Sequence, residues 1–188
     1  MARPVTHDAT LRSALLAAAA AMIDRDGPER FSVREVALAA DTSTSAVYSL
    51  FGGKAELFAA VVDDAFASFG RAQREAEPHG LRALGVAYRA WALAHPDRYR
   101  LMFSGTVDPR GGAAEPPSAR TALLPLIRTL TGSAEIDSET DLRDTIAVWA
   151  QVHGAVSLEL SRVCPPVVDA DAVYETVLDA ILAVHPGR

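Results

Sequence analysis

Cysteine, lysine, aromatic rings and strand-forming runs are all scarce in this chain. Its 188 residues include one cysteine, Cys164. A lone thiol cannot close an internal disulfide, so the sequence reads as intracellular, with a cytoplasmic location expected. One lysine, Lys54, stands among 18 basic side chains, the rest being arginine. Acidic groups number 24, for a formal charge of −6. That balance excludes a polybasic coat for nucleic acid or membrane. Such a chain can meet DNA only by gathering its few cations on one face. Aromatics are 6% of the residues. Alanine, the best helix former, is abundant, while the β-branched and aromatic strand formers are not enriched. Neither strand-type alternation nor an internal repeat is found. With 49% hydrophobic residues, the chain is not disordered and can bury a core of its own. The composition predicts an all-α protein.

Long apolar runs are also missing. The segment from Ala14 to Ile23 is apolar, follows Arg3 and Arg12, and contains Ala19-Ala20-Ala21, the outline of a secretory signal. Three features oppose that reading. The run is mostly alanine, Asp8 lies in its would-be cationic part, and Leu11, Leu15, Ala18, Met22 and Ile23 recur at helical spacing. An amphipathic helix explains the segment better. It is too short to cross a bilayer, and no membrane partner is expected.

Breakers divide the chain into nine predicted helices. The first runs from about Asp8 to Asp26 and stops at Gly27-Pro28. Ser32 is placed as an N-cap with Glu35 at capping-box spacing, opening a short helix to Ala40. Asp41-Thr42 makes a turn, and a second short helix starts near Ser43. After Gly52-Gly53 a long helix runs from about Lys54 to Ala76, with Leu57, Val61, Val62, Phe66 and Phe69 on one stripe. Helices follow at about 81–94, 97–103, 118–131, 138–163 and 169–184. Residues 105–117, rich in Gly and Pro, are expected to form a mobile loop. Two domains are expected, at 8–68 and 80–185.

Two short helices joined by a tight turn, behind a longer packing helix, make a helix-turn-helix over about 32–51. The second short helix must be narrow and carry its first side chains into the roughly 12 Å major groove of DNA. Those side chains are Thr42, Ser43, Thr44, Ser45 and Tyr48, all hydroxyl-bearing and uncharged. Hydroxyls suit phosphates and base edges. Lys54 follows the glycine break at the head of the next helix, where its ammonium and that helix's free N–H groups would both point at a phosphate. Ser32 and Arg34 are further candidates, and Arg34 is equally readable as a solvated residue. Val47, Leu50 and Phe51 are core.

The stretch AADTSTSAVYSLFGGKAEL, residues 39–57, resembles the DNA-binding signature of TetR-type repressors. Ser43, Tyr48, Phe51, Lys54 and Leu57 match, as do the helix ending at Gly27 and the entry Phe31-Ser32-Val33. Asp41 stands where a turn glycine is usual, and Thr42 where a small aliphatic is usual. Asp tolerates the left-handed turn conformation, so the geometry is expected to hold. The resemblance implies a double-stranded palindromic operator, repression relieved by a small-molecule effector, and a homodimer.

In the C-terminal part, Leu142, Ile146, Trp149, His153, Val156 and Leu160 form one stripe facing a core or a cavity. Gly154 costs about 1 kcal/mol mid-helix, which a close helix approach would explain. WAQVHG (149–154) and WALAHPDRYRLMFSG (91–105) resemble the Trp-His-Gly class of TetR-type C-terminal domains. Two readings stay open for Phe66, Tyr88, Trp91, Met102, Phe103, Trp149 and His153. One is plain core with His153 satisfied by a buried hydrogen bond; the other is the ligand pocket that the resemblance implies. A second stripe, Val148, Val152 and Ala155, and the nearly all-round apolar helix carrying Val173, Val177, Leu178, Ile181 and Leu182, suggest that the last two helices build a four-helix dimer interface.

An enzyme is the rival class. Cys164 and His153 are about 16 Å apart along a helix, beyond the reach of a nucleophile–base pair. The histidines make no metal spacing, and no phosphate loop or nucleophile elbow occurs. No cofactor or metal is expected. A helical dimeric ligand-binding protein with weak or lost DNA binding is the other alternative, favoured by Asp41 and the low basic count.

Overall fold

The computed structural model describes residues 5–103, 116–136 and 138–187. Its regular structure is helical: α1 Val5–Asp26, α2 Val33–Ala39, α3 Thr44–Phe51, α4 Lys54–Ala76, α5 Leu81–Ala94, α6 Pro96–Phe103, α7 Pro117–Thr131, α8 Glu139–Leu160 and α9 Ala170–Val184. No strand occurs among the described residues, so the all-α expectation holds. Of the breaker-rich segment 105–117, only Pro116 and Pro117 are described, and Arg3 also lies outside the described residues.

The chain forms two compact units. The first comprises residues up to Phe66 together with the segment from His95 to Ser118. Its core is aliphatic: Leu15, Ala19, Ile23, Val36, Val47 and Leu57 are fully buried, and Phe31, Val61, Val62 and Leu101 close around them. The larger side chains of the apolar N-terminal run, Leu15, Leu16, Met22 and Ile23, are therefore on the buried side of α1. No single helix among the described residues is long and apolar enough to cross a membrane. Helix α6 is fastened to α1 by Arg98, whose Nε donates to Asp24 at 3.1 Å and whose guanidinium also meets His95 Nδ1 at 2.5 Å.

The second unit holds Ala67–Ala94 and Ala119–Arg188. Helices α5 and α9 approach closely at Gly85, where a Cβ would meet Leu178 Cδ2. The Gly85 carbonyl there accepts from Tyr174 Oη at 2.6 Å. Arg89 of α5 donates to Glu159 of α8 at 2.7 and 2.8 Å and to Asp171 of α9 at 2.6 Å.

Two expectations for α8 are corrected. Its buried face is Thr145, Val148, Val152 and Val156, while Leu142 and Ile146, assigned to the inward stripe, are 46% and 41% exposed. The two stripes are neighbours around the helix and similarly apolar, so periodicity alone does not rank them. The helix also ends at Leu160 instead of running to 163. Arg162 turns left-handed (φ 53), its N–H meets the Glu159 carbonyl, and the Val163 N–H reaches back to Leu158. This is a Schellman closure. Among the described residues nothing lies within 4 Å of where a Cβ on Gly154 would sit, so no close approach among them accounts for it.

Candidate nucleic-acid interface

Helix α2 ends in a second Schellman closure. The Asp41 N–H bonds to Leu38 O at 3.1 Å and the Thr42 N–H to Ala37 O at 2.9 Å, with Asp41 left-handed at φ 49. The aspartate thus adopts the conformation usually given to glycine, and the tight turn survives. Ser43 caps α3, its Oγ accepting from Ala46 N–H at 3.2 Å. That bond uses an acceptor lone pair and leaves the hydroxyl proton available.

Val47 pins α3 to the core. Leu50 and Phe51 pack against that core from its edge. The rest of α3 faces outward: Thr44, Ser45, Tyr48 and Ser49 are exposed, Tyr48 at 54%. Ser49 was missed from sequence, although its spacing of four from Ser45 places it on the same helical face. Thr42 is half-buried and Arg34 is exposed on α2.

Ser32 occupies the N-cap position of α2 with extended backbone angles, yet its side chain makes no cap hydrogen bond. The expected capping box is absent. The helix instead opens with Val36 N–H to Ser32 O at 3.0 Å.

At the head of α4, Gly52 takes φ +96, and a Cβ on Gly53 would lie 2.8 Å from Glu56 Oε2. The left-handed Gly52 therefore favours glycine for its conformation, while at Gly53 the flexible Glu56 side chain could swing away from a Cβ. The Glu56 carboxylate lies beside Gly52 and Gly53 at this helix end, and Lys54 is the local cation. Lys54 is exposed, and its Nζ lies 5.8 Å from the Phe31 ring centroid. The guanidinium of Arg12 lies 5.0 Å from the Phe51 centroid. Both cations thus lean on aromatic faces of the head, which orients them while keeping their N–H donors available. Sequence spacing gave no sign of these cross-element contacts.

The residues expected in a ligand pocket fall into two groups. In the first unit, Phe103 stacks edge-on with Phe66 at 5.9 Å and with Tyr99 at 5.1 Å, and Met102 is buried. In the second, Phe69 meets Tyr88 at 5.1 Å and Trp91 at 5.5 Å. Tyr88 Oη lies 2.9 Å from His153 Nδ1, and Trp149 packs edge-on against the His153 ring at 5.8 Å. Trp91 Nε1 donates to Ser68 Oγ at 3.2 Å. Burial holds the His153 pKa below the usual imidazole value, favouring the neutral ring.

Comparison with known proteins agrees with this architecture. Residues 15–61 match the family described as bacterial regulatory proteins, tetR family. Residues 81–181 match the tetracyclin repressor-like C-terminal domain. No curated protein matches the chain. Among solved structures, a TetR-family transcriptional regulator from Streptomyces coelicolor superposes with a TM-score of 0.70 at 22% identity, over 97% of this chain and 83% of that one. A protein of unknown function from Rhodococcus sp. RHA1 reaches 0.78 at 24% identity, over 93% and 94% of the two chains. A possible TetR-family regulator from Streptomyces coelicolor A3(2) gives 0.63 at 21%, over 92% and 99%. These structures share the fold. The matched segments, with the helix-turn-helix geometry above, place this chain in the TetR family of DNA-binding transcriptional regulators.

Proposed function

We propose that the chain is a cytoplasmic, homodimeric repressor that binds a palindromic operator and is released from it by a small-molecule effector. The observation that carries this reading is the outward face of α3. Thr44, Ser45, Tyr48 and Ser49 stand exposed behind a tight turn, with Lys54 following at the head of α4. In this reading Thr44, Ser45 and Ser49 meet base edges. Thr42, Ser43, Tyr48, Lys54, Arg34 and Ser32 meet phosphates, and Arg12 supplements them.

The dimer surface is assigned to α8 and α9. Leu142, Ile146 and Leu158 on α8, and Val173 and Val184 on α9, are exposed. Exposed Ala147 and Ala150 and the open Gly154 would let a second helix pair approach. A two-fold dimer of this kind spaces its recognition helices by one DNA turn, about 34–36 Å, or a multiple. The effector site is assigned to the aromatic cluster of the second unit, Tyr88, Trp91, Trp149 and His153.

A direct test is a gel shift with the DNA upstream of the gene, paired with light scattering at micromolar protein. Retardation of a palindromic fragment by a dimer is expected. A monomer would sink the interface assignment. A dimer with no preference for any fragment would favour the second reading, a helical ligand-binding dimer with weak or lost DNA binding. That second reading draws its support from Glu29, Glu35, Asp41 and Glu56, exposed carboxylates on the same head.

A further inference from the structure

Two cations of the head rest on aromatic rings. The guanidinium of Arg12, on α1, lies 5.0 Å from the centroid of Phe51, the last residue of α3. The ammonium of Lys54, at the head of α4, lies 5.8 Å from the centroid of Phe31. The Phe31 ring is buried and meets Phe58 edge-on at 5.6 Å, so it is a fixed platform. Phe51 packs on the edge of the core, while Arg12 and Lys54 are both exposed.

Carboxylates stand close by in sequence. Asp8 lies one turn before Arg12 on α1, and the Glu56 carboxylate lies beside Gly52 and Gly53, where α4 begins. Neither takes its neighbouring cation into an ion pair among the described residues. Arg89 of the second unit is the contrast. It lies 5.2 Å over the Tyr174 ring and is also paired with Glu159 and Asp171. There the ring joins a closed ion cluster. In the head each ring holds a cation that no described carboxylate neutralises.

Long cationic side chains have much rotamer freedom to lose when they bind. A ring face restricts that freedom beforehand and leaves the charge and the N–H donors available to an anion. Phe51 also ends the recognition helix, so the cation it carries moves with α3. A purely structural account competes with this one. Arg12 at Phe51, and Lys54 three residues on, both stand near the carbonyl end of α3, whose partial negative charge they would stabilise with no part in DNA binding.

We propose that Phe51 and Phe31 are positioning residues for DNA binding: each ring holds a cation, Arg12 or Lys54, in the orientation in which it meets a phosphate. The assignment deepens the DNA reading above and rests on it.

The test uses the full-length protein and a mixed-sequence DNA duplex of about 30 base pairs, because phosphate contacts carry no sequence information. Phe51 is replaced in place by mono-, di- and trifluorophenylalanine, which keep the shape of the ring and weaken its negative face step by step. Duplex affinity, read by anisotropy at low salt, should fall stepwise and end about threefold weaker, the worth of one exposed cation–ring contact. The melting temperature should stay within about 3 °C of the parent's. In an Arg12→Ala background the series should be flat, and Arg12→Ala itself should flatten the salt slope by about one unit per subunit. Fluorination of Phe31 with and without Lys54→Ala makes the second cycle, in which the Lys54→Ala background subtracts any change in the Phe58 contact.

A flat series in the parent would overturn the positioning role and leave the cations as stabilisers of the α3 carbonyl end. A series equally steep without the cation would show that the ring acts through the fold. Affinity rising with fluorine would mean that the rings hold the cations away from phosphate. A cycle that fails overturns the role of its own ring. A parent protein that leaves the duplex unbound would refute the DNA reading itself, an outcome separate from a flat series in a protein that binds.

Discussion

The two units employ their charges in opposite ways. In the second, Arg82, Arg89 and Arg128 are each fastened to carboxylates on other elements. The large apolar side chains Leu142, Ile146, Leu158, Val173 and Val184 meanwhile stand exposed. In the first, Arg98 is used in the same structural manner, tying α6 to α1. Lys54 and Arg12, however, lean on aromatic rings, and Arg34 is exposed. A guanidinium with its donors on carboxylates has little left for a phosphate, whereas a cation over a ring keeps them. The first unit holds 9 basic and 12 acidic side chains (9 − 12 = −3), and the second also holds 9 and 12 (9 − 12 = −3). The net charge therefore says little about DNA. What separates the units is which cations are already engaged.

The sharpest way to break this contrast is Arg89→Ala. It strips a bidentate partner from Glu159, leaves Asp171 unpaired, and removes a guanidinium 5.2 Å over the Tyr174 ring. With Arg89 18% and Glu159 20% exposed, a loss of about 2 kcal/mol is expected, lowering the melting temperature by roughly 4–8 °C. Calorimetry showing no change would mean that the cluster only decorates the surface.

Lys54→Ala should do the reverse. Stability should move by less than about 1 kcal/mol, the size of an exposed cation–π contact. Operator affinity should fall about tenfold for every sequence, and the salt slope should flatten by about one unit per subunit. Anisotropy titrations at several salt concentrations read both quantities. A loss confined to one operator sequence would make Lys54 a base reader, contrary to the proposal.

The ease of reading the sequence differed along the same division. The head was legible because its signals are local. The breaks at Gly27-Pro28 and Gly52-Gly53, the two short helices, and the left-handed position at Asp41 all lie within a few residues of what they control. The rings beneath Lys54 and Arg12 were not legible, since Phe31 and Phe51 are brought there by packing between elements. On α8 the signal was present but ambiguous. Leu142 and Ile146 offer a better apolar stripe than Thr145, yet the helix buries Thr145, and a hydrophobicity ranking never selects a threonine. A helix with apolar residues on two faces tells which positions are buried only when both of its neighbours are known.

A third effect is expected from pH. Burial holds His153 below the ordinary imidazole pKa, and burial followed by the nearby Arg98 does the same for His95, with Asp24 opposing. For a group whose folded pKa is depressed, the unfolded chain takes up the proton first. Stability is therefore full above the unfolded value near 6.5 and declines as pH falls below it. Melting temperatures should drop between pH 7 and pH 5. His153→Phe should flatten its share of that slope, and a slope identical to the parent protein's would show that the ring protonates in place without cost.

The smallest effect tests the position where the head departs from its family. Asp41 holds the turn at φ 49 and is exposed, so its carboxylate contributes geometry and charge together. Asparagine separates the two, because it accepts the left-handed conformation about as readily and carries no charge. If the turn matters only for shape, Asp41→Asn leaves the operator affinity unchanged. If the carboxylate lies near the phosphates that Thr42 and Lys54 address, removing it raises affinity about two- to threefold, most at low salt, where a Debye length of about 30 Å at 0.01 M lets the charge act. The gain should shrink as salt rises. An equal gain at every salt concentration would trace the effect to the turn's conformation, and Asp41 would then no longer count among the charges opposing DNA.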